Sequence, residues 1–175
     1  INIPDNASLD LTNQMTLEAW VKPNSVPISQ IISKFGTSGN YSYQIGLHST
    51  GALRCDISAD GTTYDNLVGP TPLFLNTWQH VVAIFNAGAL KLYIDGVEVA
   101  SMVSTRTTLK NSTNPLNIGR DPYPIQYFNG LIDEVAIYNR ALTSEEIKKH
   151  AGLYNPAASE PSVGAPGVKE VFAFS

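Results

Sequence analysis

Hydrophobic and polar residues alternate along most of this chain in short runs separated by turn residues. A period of two puts successive side chains on opposite faces of a strand, so it predicts β-strands rather than helices. Strands are predicted near residues 15–22, 29–35, 41–48, 51–58, 78–86, 89–95, 97–102, 115–119 and 128–138. Hairpin turns are predicted at Ser49-Thr50-Gly51, Ala87-Gly88 and Asp95-Gly96. The pattern therefore predicts an all-β, mainly antiparallel sandwich of two sheets.

The last predicted strand of this sandwich leads directly into a short helix. Strict alternation puts Leu131, Asp133, Val135 and Ile137 on one face of that strand and Ile132, Glu134, Ala136 and Tyr138 on the other. Both faces carry apolar groups, so the strand is expected inside the sandwich. Thr143 and Glu146 have the spacing of a capping box, which predicts a helix of two or three turns near the C-terminus.

The composition changes near residue 155, which suggests a boundary. Residues 1–154 are predicted to form the sandwich, and the Pro/Gly/Ser-rich residues 155–168 form a linker. The tail, residues 169–175 (K-E-V-F-A-F-S), is again suited to a strand. It either pairs with an open sheet edge of this molecule or of a neighbour, giving self-association, or begins a following domain.

Four ordered motifs give the chain a family resemblance. They are M-T-L-E-A-W-V-K-P (Met15 to Pro23), N-T-W-Q-H-V-V-A-I-F-N (Asn76 to Asn86), L-K-L-Y-I-D-G-V-E-V-A (Leu90 to Ala100) and the segment from Tyr127 to His150. Together they resemble a laminin-G-like, concanavalin A-like jelly roll over residues 1–154. The resemblance implies a jelly-roll sandwich with Trp20 and Trp78 in its core. It also implies a set of functions, namely carbohydrate binding, adhesion or a passive spacer role in secreted proteins.

The charge and composition of the chain limit the classes of binding partner that it is expected to have. The formal net charge is −4 and charged residues are only 15% of the chain, which argues against a nucleic-acid partner. No run approaches the roughly 20 apolar residues of a membrane span. Cys55 is the only cysteine and is expected to be a buried small hydrophobe. Abundant Asn, Ser, Thr, Gly and Tyr are typical of secreted or cell-surface modules.

Residues suited to catalysis are not arranged for it. A glycosidase needs two carboxylates on one face, about 5–9 Å apart. Asp133 and Glu134 are adjacent and are expected on opposite faces, while Glu145 and Glu146 suit a helix N-terminus. The three histidines lie apart without a nucleophile, and His80 is interpreted as an ordinary strand residue. We therefore expect no enzymatic activity.

Calcium is the expected inorganic ligand. The family resemblance implies one structural Ca²⁺ near the start of the domain, and it is carried over to Asp5 and Asp133. The loop carboxylates Asp60, Asp65 and Asp121 are alternatives, although D-G-T-T-Y-D lacks the dense oxygen spacing of an EF-hand. From the residues alone, a carboxylate at Asp133 within an apolar strand needs a partner. That partner could be a backbone donor, a cation such as Arg140, or a metal.

Sugar recognition requires an aromatic face with amides, carboxylates or arginine nearby. Loops and strand ends supply these groups at Tyr64, Asn117, Arg120, Asp121, Tyr123 and Tyr127. Tyr64 and Tyr123 are the candidates for stacking against a sugar ring. The alternative is that these tyrosines pack within their loops.

A polar sheet face is a further candidate surface. Alternation in the strands 41–48 and 51–58 places Ser42, Gln44, His48, Arg54 and Asp56 on one side. Galectin-like relatives use such a face for sugar, and the alternative is a solvated face with an Arg54–Asp56 or Arg54–Gln44 contact. The leading hypothesis is a non-catalytic extracellular carbohydrate-binding module. The rival is a structural or adhesive domain of a surface layer, filament or multidomain protein.

Overall fold

The strands build two antiparallel sheets, as predicted. The computed structural model describes residues 1–122, 125–153 and 172–174. Its strands are β1 (Asn2–Ile3), β2 (Gln14–Pro23), β3 (Ser29–Ser33), β4 (Tyr43–Leu47), β5 (Ala52–Ile57), β6 (Asp65–Pro72), β7 (Gln79–Asn86), β8 (Ala89–Ile94), β9 (Val97–Val103), β10 (Leu116–Ile118), β11 (Arg120–Pro122), β12 (Ile125–Tyr127), β13 (Gly130–Tyr138) and β14 (Phe172–Phe174).

The order of the strands defines the two layers. Within the described ranges, sheet I has six strands in the order β1-β10-β3-β4-β5-β6, and sheet II has six in the order β14-β13-β2-β7-β8-β9. Apolar residues on the facing sides of both sheets form one core, represented by Leu17, Ile45, Cys55 and Phe85, each fully buried. The buried position of Cys55 agrees with the prediction. A small hairpin of β11 and β12 lies against β3 of sheet I.

The predicted hairpin turns are confirmed by their backbone. Asp95 and Gly96 both have positive φ (50° and 80°) and join β8 to β9. Ala87 and Gly88 (44° and 107°) join β7 to β8. Gly tolerates this region at no steric cost, which is why the turn signal was visible in the sequence.

The predicted alternation of β13 is wrong beyond Asp133. Ile132, rather than Asp133, faces the core, and the pairing with β2 shifts between Asp133 and Ala136 because a β-bulge adds a residue there. Glu134 at the bulge has φ of +48°. The extra residue reverses the sides, so that Val135 and Ile137 pack against the core and Ala136 lies beside Glu18 on the outer face.

Helix α1 (Ser144–Leu153) packs on the outer face of sheet II. Ile147 is fully buried and forms a second apolar cluster with residues of β7, β8 and the preceding loop, namely Val82, Ile84, Tyr93 and Leu142. The predicted capping box is confirmed. The Thr143 N–H donates to Glu146 Oε2 at 2.8 Å, and the Glu146 N–H donates to Thr143 Oγ1 at 3.2 Å.

Other sequence predictions have mixed outcomes. Strands β1, β6, β11 and β12 were not predicted, since they are short or rich in Pro, Asn and Gly. Trp20 is buried, as expected, but it lies on the outer face of sheet II beside His80 rather than between the two sheets. Trp78 is only half-buried in the loop before β7, so its expected core position is wrong. Residues 172–174 pair with β13 at the edge of sheet II. The predicted linker, residues 155–168, lies outside the described residues.

Candidate functional site on the outer face of sheet I

A continuous row of polar side chains crosses the outer face of sheet I. One residue from each strand lies in the same register across the sheet, in the order Asn2, Asn117, Ser33, Gln44, Asp56 and Asn66. We call these six residues the polar row. Their neighbours along the strands, such as Ile45 and Cys55, point into the core, so alternation places the polar row on the opposite face.

Hydrogen bonds link the members of the polar row. Asn2 donates to Asn117 at 2.9 Å, and Ser33 donates to Gln44 Oε1 at 3.2 Å. The amides of Gln44 and Asn66 both donate to the carboxylate of Asp56, which is 1% exposed. These partners satisfy a buried carboxylate that would otherwise be costly.

A second line of groups lies beside the polar row. Gln30, Gly46 and Arg54 share the next register position across β3, β4 and β5. A Cβ at Gly46 would meet Gln30 Oε1 at 2.3 Å, so the glycine makes room for the glutamine side chain to lie over it. Arg54 contacts Asp56 at 3.3 Å, which confirms the predicted contact. Both polar atoms of Gln30 and the Nε atoms of Arg54 and Arg120 are buried and have no hydrogen-bond partner among the described residues.

An aromatic cluster lies beside the polar row, at the ends of three strands that contribute to it. Phe35 and Tyr41 are stacked with ring centroids 4.7 Å apart, and Tyr64 meets both rings edge-on at 5.7 and 5.9 Å. These residues lie two or three positions beyond Ser33, Gln44 and Asn66, where β3 ends and β4 and β6 begin. We call the three rings the tyrosine platform. Tyr64 is 50% exposed, so part of its ring faces solvent.

The loop that presents Tyr64 is fixed by its own hydrogen bonds. The carboxylate of Asp60 accepts from the backbone N–H groups of Thr62 and Thr63 at 2.7 and 2.8 Å. Bonds from the Thr63 side chain and backbone, with that from the Thr62 backbone, hold the pKa of Asp60 well below its usual value. Arg106 donates to Asp65 at 3.1 Å and to Thr63 Oγ1 at 2.8 Å. Tyr64 is therefore presented by an ordered turn.

The predicted sugar-binding residues lie on or near sheet I but differ in accessibility. Tyr64 belongs to the tyrosine platform. Asn117 lies in the polar row but is fully buried, and it is bonded to Asn2 and to the Pro115 carbonyl. Arg120 and Tyr127 pair in the small hairpin, and Tyr127 is 51% exposed. Asp121 is described only in its backbone pairing with Gln126, and Tyr123 lies outside the described residues.

Sequence analysis did not identify two components of this surface. Gln30 and the Phe35–Tyr41 stack were not singled out. Gln30 lies in a strand of mixed character, and the stack forms between residues that only the pairing of β3 with β4 brings together. The available signal was the pair of tyrosines in the stretch Gly39–Tyr43, close after Phe35 in the sequence.

The two carboxylates predicted to bind calcium lie apart in the fold. Asp5 contacts the ammonium of Lys34, which follows β3 of sheet I. Asp133 lies in β13 of sheet II, where its Oδ1 accepts from the N–H of Glu134 at 2.9 Å and so supports the bulge. Among the described residues, no group of three His, Cys, Asp or Glu side chains is arranged to hold a metal ion. Calcium binding stays a prediction.

A groove of about 280 Å³ lies on the opposite face of the molecule, over sheet II. Its lining includes Glu18, Trp20, His80, Glu134, Tyr138 and His150. Glu18 is 6% exposed, and its carboxylate accepts from Tyr138 at 2.9 Å and contacts His150 at 3.1 Å and His80 at 3.6 Å. Burial alone would raise the pKa of Glu18, but bonds from His80, His150 and Tyr138 outweigh it and leave this pKa lowered.

Comparison with known proteins places this geometry in a family. The model of the concanavalin A-like lectin/glucanases superfamily (Laminin_G_3) matches residues 1–148. The chain belongs to this superfamily. The match confirms the resemblance inferred from the four motifs, and the two antiparallel sheets confirm the jelly-roll sandwich. A structural superfamily of this kind houses binding domains and enzymes alike, so the site must decide function.

The chain is similar in sequence to a curated receptor protein. The adhesion G-protein coupled receptor V1 of Danio rerio is 24% identical over 150 residues, which is 82% of this chain. The chain spans 2% of the length of that receptor.

Many solved structures share the fold of this chain, and they include two carbohydrate complexes. The CBM40 domain of the Ruminococcus gnavus IT-sialidase, bound to alpha2,3 sialyllactose, has a TM-score of 0.68 and 19% identity, covering 83% of this chain and 86% of that one. Domain 4 of AbnA, a GH43 extracellular arabinanase from Geobacillus stearothermophilus, in complex with arabinotriose, has a TM-score of 0.65 and 23% identity, covering 86% and 71%.

The described helix does not reach membrane-spanning length. Helix α1 has ten residues and includes Glu145, Glu146 and His150, and no helix in the described ranges is long and apolar enough to cross a bilayer.

Proposed function

We propose that this domain is a non-catalytic, extracellular carbohydrate-binding module that binds sugar on the outer face of sheet I. The observation that carries the proposal is the tyrosine platform beside the polar row. An aromatic ring offers an apolar face to the C–H side of a sugar ring, and amides, a carboxylate and an arginine serve the hydroxyl groups. The sheet supplies both kinds of group within a few residues of each other.

The accessible part of this surface defines the expected contacts. Tyr64 and Asn66 are exposed at one end of β6, and Arg54 is 15% exposed beside Asp56. Buried groups without partners, such as the amide of Gln30, favour a ligand hydroxyl or a water that reaches them. Tyr64 therefore stacks against the ring, and Asn66 and Arg54 donate to hydroxyl oxygens.

The names of similar structures support the class of ligand. The CBM40 structure contains sialyllactose and the arabinanase domain contains arabinotriose. Because both structures are less than 25% identical to this chain in sequence, they support its fold and do not specify which sugar it binds. Secretion or display at the cell surface follows from the same proposal, because such glycans are met outside the cell.

The experiment that tests the proposal is a glycan-array screen followed by calorimetric titration of any sugar that binds, with sialyllactose and arabinotriose as first probes. Tyr64→Ala should weaken binding by about 2- to 13-fold, since an aromatic contact contributes about 0.5–1.5 kcal/mol. Phe74→Ala is the matched control, because Phe74 is 71% exposed just beyond the other end of β6. Equal losses in both variants, or binding unchanged in Tyr64→Ala, would place the sugar elsewhere.

A second candidate function is adhesion through protein–protein contacts. It is favoured by β9, which is the edge strand of sheet II in the described part of the chain and exposes Val97 (63%) and Val103 (89%). An edge with exposed apolar residues can pair with a strand of another protein. Val103→Lys should abolish such pairing and leave sugar binding unchanged, so sedimentation analysis and sugar titration of this variant distinguish the two functions.

A further inference from the structure

Lys34 is a wholly buried cation surrounded by oxygen atoms. Its side chain is 0% exposed, and its ammonium lies 2.5 Å from Asp5 Oδ1, 3.0 Å from the Asn114 carbonyl and 3.7 Å from Asp10 Oδ1. It also donates to the Ser112 carbonyl. We call these five residues the ammonium cage. They come from three separate segments of the chain, so the ammonium joins the N-terminal segment to the end of β3 and to the loop before β10.

The oxygen atoms of the ammonium cage are of the kind that bind metal cations, but here they bind the ammonium of Lys34. Hard cations such as Ca²⁺ bind carboxylate and carbonyl oxygens, which are the groups that surround Lys34. Calcium would need these oxygens at 2.3–2.6 Å, and Asp5 Oδ1 already lies 2.5 Å from the ammonium. A metal ion and the ammonium cannot occupy the same position, both for steric reasons and because like charges repel.

Asp133, the other carboxylate of the expected calcium site, does not complete a calcium site with Asp5. Asp133 lies on sheet II and accepts from the N–H of Glu134 in its own bulge, while Asp5 is bound beside sheet I. The residues therefore do not fit the single calcium site that the family resemblance implied. The physical cause is the ammonium of Lys34, which occupies the space between the oxygen atoms where a calcium ion would bind.

The ammonium cage is connected to the tyrosine platform on two sides. Lys34 directly precedes Phe35, whose ring stacks on Tyr41. Ser112 and Asn114, whose carbonyls bind the ammonium, also use their side chains to donate to the Asn40 carbonyl at 2.7 and 2.8 Å. Asn40 directly precedes Tyr41, so both stacked rings are anchored to residues of the cage.

Close packing makes this connection stiff. A Cβ at Gly36 would lie 2.4 Å from Asn114 Nδ2, so the chain after Phe35 passes directly over the asparagine that binds the Asn40 carbonyl. The backbone N–H groups of Gly39 and Tyr41 donate to the Gly61 carbonyl at 2.8 and 3.0 Å, which ties the loop to the turn that presents Tyr64. A displacement of the cage would therefore be transmitted to all three rings.

We infer that Lys34 is a positioning residue that takes the place of a metal ion and makes sugar binding at the tyrosine platform independent of calcium. The inference rests on the proposed function for its sugar-binding part. The absence of a calcium requirement at Asp5 rests on the ammonium cage alone and can be tested without any sugar.

The first experiment measures thermal unfolding and calcium titration of the unaltered chain. The melting temperature should be the same in calcium and in chelator, and calorimetry should detect no calcium bound at Asp5. A melting temperature that falls in chelator, or calcium binding that Asp5→Asn removes, would overturn the inference. This result does not depend on whether the domain binds sugar.

The second experiment removes the ammonium with Lys34→Met, which retains an unbranched apolar stem and lacks the terminal nitrogen. Sugar affinity should fall at least about tenfold, because the platform rings must then be ordered on binding and each immobilised side chain costs free energy. NMR signals of the Tyr41 and Tyr64 rings should shift, while those of Tyr93, buried on sheet II, should stay in place. Unshifted platform signals and unchanged affinity would show that Lys34 positions nothing.

The two experiments distinguish a failure of the proposed sugar binding from a failure of the role assigned to Lys34. If the unaltered chain binds no glycan, the proposed function fails, but the ring signals of Lys34→Met and the calcium titration still test the cage. If the chain binds glycan and chelator abolishes that binding, the module is a sugar binder and the role assigned to Lys34 is wrong.

Discussion

The ammonium cage and the groove over sheet II each surround a buried charge with polar groups, but the two charges have opposite signs. Lys34 is a buried cation that contacts carboxylates and backbone carbonyls, mostly from loops. Glu18 is a buried anion that contacts the side chains of Tyr138, His150 and His80, all on strands or the helix. A buried charge is tolerated only with such partners.

The difference lies in what each charge joins together. Lys34 connects the loops that follow β1 and precede β10 to the end of β3, next to the tyrosine platform, and these loops lie outside the paired strands. Glu18 connects helix α1 to β2, β7 and β13, elements that apolar packing around Ile147 already orders. We therefore expect the loop end of the molecule to depend on a single charge more strongly than the helix face does.

The largest effect is expected from Lys34→Met. Removing one partner of a buried ion pair typically costs about 3–5 kcal/mol. Asp5 retains 33% exposure and can be partly hydrated, so a loss near the lower end, about 3 kcal/mol, is expected. Urea denaturation followed by tryptophan fluorescence measures it. A loss smaller than that of Glu18→Gln would reverse the comparison.

A smaller loss is expected from Glu18→Gln. The amide can still accept from Tyr138, but the charge-assisted contacts to His150 and His80 are lost. The expected cost is about 1–3 kcal/mol. Glu134→Gln is the control, because Glu134 lines the same groove but is exposed. Equal effects of the two substitutions would mean that the buried network adds no stability.

The contribution of Glu18 should also depend on pH. Its pKa is lowered from 4.5 in the folded chain, so the unfolded chain takes up the proton first as pH falls. The stabilisation is therefore complete above about pH 5.5 and is lost as pH falls through 4.5 towards the folded pKa. The difference in unfolding free energy between the unaltered chain and Glu18→Gln should shrink over that window. A difference that stays constant down to pH 3 would contradict the lowered pKa.

The smallest effect is expected at an exposed pair. Lys91 contacts Glu98 at 2.8 Å on β8 and β9, with side chains 41% and 37% exposed. Exposed ion pairs contribute about 0–1 kcal/mol because water and salt screen them. Lys91→Met should thus change stability little, which makes it the matched control for Lys34→Met. A loss comparable to that of Lys34→Met would mean that burial is not what distinguishes the cage.

The sequence predicted the features that depend on local pattern. Alternation placed Gln44, Arg54 and Asp56 on one outer face, and the structure confirms this together with the Arg54–Asp56 contact. Turn chemistry located Asp95-Gly96, and capping spacing located the start of helix α1. These features involve residues close in sequence, so one chain is enough to find them.

Features that depend on distant residues were beyond sequence analysis. Lys34 meets Ser112 and Asn114 across about eighty residues, and Glu18 meets His150 across 132. The bulge at Glu134 could not be foreseen, since a glutamate with positive φ leaves no signal in the pattern. Asn117 was identified by residue type, but only strand pairing shows that neighbours bury it.

The central claim is that the tyrosine platform binds sugar and is held in place by Lys34 rather than by calcium. The most direct measurement is a glycan-array screen of the unaltered chain and of Tyr64→Ala, each in calcium and in chelator. The prediction is binding by the unaltered chain that is equal in both conditions and weaker in Tyr64→Ala. Absence of glycan binding, or binding that chelator abolishes, would contradict the claim.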